Sequence, residues 1–249
     1  MGHCVMKNPA AGGGRWVEVP PERLVSWIVA FAQRHGGAAA DSPVTVPAGE
    51  PAGTVTFAAA DGATAECHPP FPPVALAATE FRAAAESLAA HAAADRTVGV
   101  LLVRLGGYAA GVFSGSPPAL VASKTGSRPV HGRSAAGGWS QQRFARRREN
   151  QAAAALRAAA DAAAEVFGRY GAERLDAVVL GGDKRSAAGL RDPRALRGDA
   201  RLEKYLAKAT ERFLTAPDPR LAVLRDIPRA FLATRIRLTE PESGGPVRG

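Results

Sequence analysis

Near the amino terminus, apolar positions keep helical spacing over one stretch, where Leu24, Trp27, Ile28 and Phe31 fall at i, i+3, i+4 and i+7 on a single face. Pro20-Pro21-Glu22 opens this helix and Gly36-Gly37 closes it. Around it the elements are shorter. Arg15 to Val19 reads as a strand, and Thr54 to Ala59 and Thr64 to His68 flank Asp61-Gly62, a dipeptide that favours a hairpin turn. Trp16, Trp27 and Phe31 read as the core of this small unit. The run Pro69-Pro70-Phe71-Pro72-Pro73 fits neither regular element and reads as a rigid turn or linker.

A helix is expected from about Ala75 to Ala93, followed by strands over Thr97 to Leu105, Tyr108 to Ser114 and Ala119 to Thr125. Gly106-Gly107 and Gly115-Ser116-Pro117-Pro118 separate them, and turns this short imply an antiparallel meander. After a loop rich in Gly, Ser and Arg from Gly126 to Ser140, a long helix runs from Gln141 to Tyr170 and ends at Gly171. Its Leu156, Ala160, Ala163 and Phe167 form a core face, with Arg157, Asp161 and Glu165 on the solvated side. Leu175 to Leu180 is a compact apolar strand. The remainder reads as a helix over Ala200 to Phe213, extended pieces over Leu221 to Asp226 and Ala233 to Leu238, and a loose tail after Glu240. The pattern predicts an α/β protein in two parts, a small amino-terminal domain over 1–93 and a larger domain with a mixed sheet over 94–240, with 241–249 as tail.

Composition narrows the class. With 249 residues, 46% of them hydrophobic, the chain is long and apolar enough for a real core, which argues against full disorder. Its two cysteines, Cys4 and Cys67, are too few for a disulfide scaffold and lack the paired spacing of a zinc site. No metal and no cofactor are expected, and a reducing cytoplasm is the expected compartment. No membrane association is expected either, because the most apolar stretch, Ala152 to Phe167, is broken by Arg157, Asp161 and Glu165. Nothing in the pattern specifies an oligomer, so a monomer is the simplest expectation.

The 32 Lys and Arg outnumber the 23 Asp and Glu by nine, a balance that suits an anionic partner, nucleic acid first. Much of that excess gathers in one place. Lys124, Arg128, Arg133, Arg143, Arg146, Arg147 and Arg148 lie within 25 residues, with His131 among them and no acid before Glu149. A charge run by itself is more often a solvated loop than a binding site. Here Gly126, Gly132, Gly137 and Gly138 keep the backbone thin, as a loop entering a narrow polyanionic space requires, and Trp139 at the tip is placed to stack on a base or plug a pocket.

The segment Gly137-Gly138-Trp139-Ser140-Gln141-Gln142-Arg143-Phe144-Ala145-Arg146 resembles the catalytic loop and following helix of the eukaryotic and archaeal class-1 peptide release factors, whose Gly-Gly-Gln tip precedes Arg-Phe-Ala-Arg. Trp139 stands where those factors have glutamine. The tip is closer to the release-factor-like peptidyl-tRNA hydrolases of ribosome quality control, which carry Gly-Ser-Gln, and Trp139-Ser140-Gln141 looks like an actinobacterial version with Trp inserted. The resemblance implies an RNase H-like fold for the larger domain and peptidyl-tRNA hydrolysis on the large ribosomal subunit. Gln141 would be the catalytic residue, with Gly137, Gly138, Trp139 and Ser140 shaping the loop and the basic residues from Lys124 to Arg148 on RNA. The first ninety residues show no stop-codon-reading domain, so codon-dependent termination is not implied.

A glutamine amide is no general base at neutral pH. It offers one acceptor and two donors, enough to hold a water near an ester carbonyl or to stabilise a developing oxyanion. Gln142 competes for the role but lies about 100° around the helix from Gln141, so only one of the two faces the substrate. Ser140 reads as the helix cap rather than a nucleophile, since its surroundings lack a nucleophile elbow and a legible triad. Gly181-Gly182-Asp183-Lys184-Arg185 follows a strand but has neither phosphate-loop spacing nor a dinucleotide fingerprint. Two other readings remain open: a non-catalytic protein that docks on RNA through the basic loop, and a nuclease, which would need clustered carboxylates that the meander strands lack.

Overall fold

The computed structural model describes residues 8–9, 14–46, 53–104, 106–127, 140–192, 196 and 200–241, with the backbone alone at 8–9, 140–145 and 148. The chain opens with β1 (Asn8–Pro9), β2 (Arg15–Val19), α1 (Pro21–Arg34), β3 (Val44–Thr45), the hairpin β4 (Val55–Ala58) and β5 (Thr64–His68), and α2 (Phe81–Ala93). It continues through β6 (Val98–Arg104), β7 (Gly107–Ser114), β8 (Ala119–Ser127), α3 (Ser140–Gly168), β9 (Ala177–Gly182), α4 (Lys184–Gly189), α5 (Glu203–Leu206), β10 (Ala209–Thr215) and α6 (Leu221–Asp226). After α7 (Pro228–Phe231) it ends in β11 (Thr234–Thr239). Two compact units result, one of residues 1–94 and 229–249, the other of residues 95–228.

The first unit is a sheet in the order β1-β2-β11-β5-β4-β3 with α1 and α2 on one face. Alternation along the strands sends Val17, Val19, Val55, Phe57, Ala65, Cys67, Ile236 and Leu238 inward against Leu24, Ile28, Phe31, Ala85 and Leu88. The hairpin forms at Asp61-Gly62 as its residues dictate. Gly62 takes φ +90°, and Asp61 accepts hydrogen bonds from Ala63 N (2.9 Å) and His35 Nδ1 (2.8 Å). The second helix starts at Phe81 rather than Ala75, because Glu80 caps it by accepting from the N–H groups of Arg82 and Ala83. Trp16 is not core as expected. It alternates with buried Val17, and its ring lies 4.7 Å from the Arg235 guanidinium and 5.1 Å from the His68 ring on the other face of the sheet. Burial pushes the Cys67 thiol far above its ordinary pKa, so it behaves as a small apolar core residue.

The second unit has the mixed order β10-β9-β6-β7-β8, with β6-β7-β8 an antiparallel meander and β9 and β10 parallel to β6. This is a mixed α/β sheet, as the sequence pattern predicts. The alanine-rich side of α3 lies close on one face, burying Ala159, Ala163 and Phe167 over Leu101, Val103, Ala110 and Val112. Gly99 permits that approach, since a Cβ there would sit 3.1 Å from the Phe167 ring. On the opposite face Leu224 of α6 rests over Gly111, where a Cβ would meet it at 2.9 Å.

Three expectations change. The helix over Ala200 to Phe213 is only α5, and Ala209–Thr215 is an edge strand on β9; Thr210, Phe213 and Thr215 suit a pleated surface once that neighbour exists. Leu221–Asp226 is helical rather than extended, a short apolar run whose form is decided by the seat of Leu224. The larger domain does not run to 240. β11 crosses back into the first sheet between β2 and β5, where its alternating Thr-Arg-Ile-Arg-Leu-Thr pattern buries Ile236 and Leu238. Of the tail, 242–249 lies outside the described residues.

Candidate nucleic-acid interface

Strand directions place the two flanks of the basic segment. Since β7 is antiparallel to both β6 and β8, and β9 is parallel to β6, the strands β6, β8, β9 and β10 all point to one edge of the second sheet. β8 leaves that edge at Ser127, and α3 returns from it at Ser140, counted here as the first helical residue rather than the expected cap. Arg128, His131, Arg133, Gly137, Gly138 and Trp139 lie outside the described residues. Gly126, expected in the loop, is the last strand residue but one. It pairs with Tyr108, whose hydroxyl would stand 2.5 Å from a Cβ at this position, so the missing side chain makes room for the tyrosine ring.

Lys124 has a structural partner. Its ammonium donates to Glu165 of α3, which also accepts from Arg169 Nη2 at 2.9 Å. That hydrogen bond raises the Lys124 pKa and lowers that of Glu165, keeping both ionised. The pair ties the outer strand of the meander to the packed part of the helix. With the partners 41 positions apart, no local pattern in the sequence signals it.

Gln141, Gln142 and Arg143 are in the first turns of α3 by backbone, and Arg148 is two turns further on. Arg146 and Arg147 are exposed, as are Glu149 and Asn150, and neither arginine has an ion-pair partner among the described residues. Together with Asn150, Gln151 and Ala154 the two line a shallow groove along the helix. Among the described side chains of α3, partial burial begins at Gln151 and full burial at Ala155. Gln141 therefore stands about 21 Å along the helix axis from the first buried residue, at ~1.5 Å per residue. Gln, Arg, Glu and Ala are good helix formers, which suits the leading turns, and continuity with the packed half removes the cost of nucleation.

The arrangement suits contact with a polyanion. Arg146 and Arg147, exposed and without an ion-pair partner among the described residues, stand on an element whose amino terminus already has a partial positive charge. Among the described residues no three His, Cys, Asp or Glu side chains converge as a metal-ligand set. None of the described helices is long and apolar enough to cross a membrane.

Comparison with known proteins gives a family match over residues 96–237, to the Actinobacteria/chloroflexi VLRF1 release factor. No curated protein matches. Among solved structures, the archaeal translation termination factor aRF1 aligns at 15% identity and a TM-score of 0.37, over 68% of this chain and 46% of that one. A second, described as an archaeal protein, aligns at 11% identity and a TM-score of 0.33, over 85% of this chain and 62% of the other. The chain thus spans less than half the length of aRF1. The family match takes in the whole meander, α3 and the basic segment between them, more than half of the chain, and the chain belongs to the Actinobacteria/chloroflexi VLRF1 release factor family.

Proposed function

We propose that this release-factor-family chain hydrolyses the ester between a nascent peptide and tRNA on the large ribosomal subunit. The reading is supported by Ser140-Gln141 and Arg143-Phe144-Ala145-Arg146 lying by backbone in the leading turns of α3, directly after Gly137-Gly138 and Trp139 in sequence, with Gln141 about 21 Å from the first buried residue among the described side chains of the helix. A residue so placed reaches into a cleft that the body of the domain cannot enter.

In this reading Gln141 holds a water against the ester carbonyl through its amide oxygen, or donates its N–H to the oxyanion that forms as the water adds to that carbonyl, before the ester C–O bond breaks. Water supplies the hydroxyl group of the released peptide acid, and the tRNA 3′-terminal ribose takes the proton. The ester is already activated, so orienting one water supplies most of what the protein must add. Gly137 and Gly138 let the tip pass between phosphates, Trp139 and Ser140 shape it, and Arg128, Arg133, Arg143, Arg146, Arg147 and Arg148 neutralise RNA phosphates. Lys124 braces the strand before the loop through Glu165.

Release of labelled peptide from peptidyl-tRNA on large subunits tests this. Wild type is expected to release it, and Gln141→Ala to lose most of that rate. If Gln142→Ala alone is inactive, the role belongs to Gln142. Binding without release by the wild type would make the chain an RNA-docking protein.

A further inference from the structure

Resolved along the chain, the positive charge has two concentrations. Beside the seven cations of Lys124 to Arg148, a second 25-residue window from Lys184 to Lys208 holds eight cations and three acids. The remaining 199 residues carry 17 cations against 20 anions, so the two windows hold more than the entire excess. We propose that Lys184, Arg185, Arg191 and Lys204 of this second window form a further RNA-binding surface beside α3, gripping phosphate backbone. The proposal rests on the reading that this chain works on ribosome-bound RNA, and its partner is RNA rather than protein or lipid.

The placement follows from topology. β9 reaches the same sheet edge as β8, so the chain leaves β9 into α4 at the edge from which the glycine–glutamine loop also departs. Gly181-Gly182, a glycine pair without a nucleotide motif, is explained by packing. Gly182 has φ +103° and a Cβ there would lie 2.2 Å from Val103 O, so only glycine passes this turn. Asp183 then fixes the first turn of α4, accepting from Arg185 N and Ser186 N at 3.2 Å each and from Ser186 Oγ at 2.7 Å. This leaves Lys184 and Arg185 exposed at the edge.

Beyond it, three described residues meet α3 in turn. Gly189 abuts Leu156, Arg201 binds Asp161, and Tyr205 packs on Phe167, a path of about 16 Å beside the helix at ~1.5 Å per residue. Buried Ala187, Leu190, Leu196, Leu202 and Tyr205 pin the strap to the core, and exposed cations fall between them. Two cations have structural work: Arg201 pairs with Asp161, and Lys208 Nζ donates to Leu175 O at 2.6 Å. Lys184, Arg185, Arg191 and Lys204 have no ion-pair partner among the described residues, and Lys204 lies 5.0 Å from the centroid of the Tyr205 ring. Two like-charged surfaces held on one edge and along one helix repel each other, and a polyanion that lies across both relieves this. The cations held between these buried residues then supply grip beside α3.

A charge-matched comparison tests the proposal. One variant carries Lys184→Ala, Arg185→Ala, Arg191→Ala and Lys204→Ala. The control carries Arg23→Ala, Arg34→Ala, Arg220→Ala and Arg225→Ala, four exposed cations on α1 and around α6, the latter covering the sheet face opposite α3. Binding of each full-length protein to purified large ribosomal subunits is measured across a series of potassium concentrations. Every phosphate that the protein no longer neutralises lowers the slope of log K against log salt by roughly 0.7 to 0.9, so the strap variant should lose about 3 units of slope and the control less than about 1. Equal losses in the two variants, or none in the strap variant, overturn the proposal. The readout is binding, so it stands even if the wild type releases no peptide and the hydrolase reading falls.

Discussion

A proline at Gln151 separates the two halves of α3. The substitution removes the hydrogen bond from residue 151 to the Arg147 carbonyl and sets the pyrrolidine ring against that carbonyl, at a cost of about 3 kcal/mol to a continuous helix. The packed half escapes most of this, because the introduced proline can serve as its first helical residue, where no N–H is needed. The leading half does not. Residues 140–150 would be a detached helix of about three turns, shorter than the ~12 to 15 residues at which isolated helices become even marginal in water, so the loss falls on helix formation there by roughly a hundredfold. Its described side chains are exposed, so global stability should move by less than about 1 kcal/mol, or ~2 to 4 °C in Tm for a chain of this size. Ala159→Pro, at a fully buried position of the same helix, should cost at least ~3 kcal/mol and lower Tm by roughly 6 °C or more. Amide hydrogen exchange over residues 140–150, thermal melting and peptide release together decide the matter. Gln151→Pro should lose exchange protection and release activity while melting near the wild type, with Gln151→Ala unaffected. Retained protection and full activity in Gln151→Pro, or a fall in Tm as large as that of Ala159→Pro, would refute the division of α3 into a packed half and a leading half.

Two further expectations concern the scaffold. Gly99→Ala puts a methyl 3.1 Å from the Phe167 ring and should destabilise by about 1 to 3 kcal/mol in urea unfolding; no change would show that α3 has room to lift. The Ser186 hydroxyl and the two N–H groups at Asp183 hold its pKa below the usual carboxylate range. Its contribution should be present in full above about pH 4 and be lost as pH falls through the folded value, so the stability advantage of wild type over Asp183→Asn should shrink in acid. An advantage that stays constant from pH 7 to pH 2 would contradict it.

How much of the molecule is legible in its sequence depends on whether the signal is local. Gly106-Gly107 and Gly115 to Pro118 mark the turns of the meander, Asp61-Gly62 marks the hairpin, and the Leu156, Ala160, Ala163, Phe167 stripe marks the packed face of α3; all three are short-range patterns. β11 is visible as an extended piece, but its place between β2 and β5 depends on pairing across some 170 to 220 residues, and so a domain limit at 240 falls in the wrong unit. For the site, an unbroken run of cations stands out in a linear reading, whereas the strap from Lys184 to Lys208 hides its charge among acids and buried leucines. Only the strand directions show that the two share an edge. Proximity in sequence draws Lys124 into the basic run, and Glu165 gives it a different task.

The proposed chemistry comes down to one amide at the leading end of α3. Peptidyl-tRNA carrying a labelled nascent chain on large subunits is incubated with wild type, Gln141→Ala and Gln142→Ala, each first shown to bind the subunit equally. Losing one preorganised amide should slow release by roughly a hundredfold or more, a transition-state loss of about 3 kcal/mol or greater. That fall is expected for Gln141→Ala, with Gln142→Ala close to wild type. Equal release by wild type and Gln141→Ala would overturn the assignment.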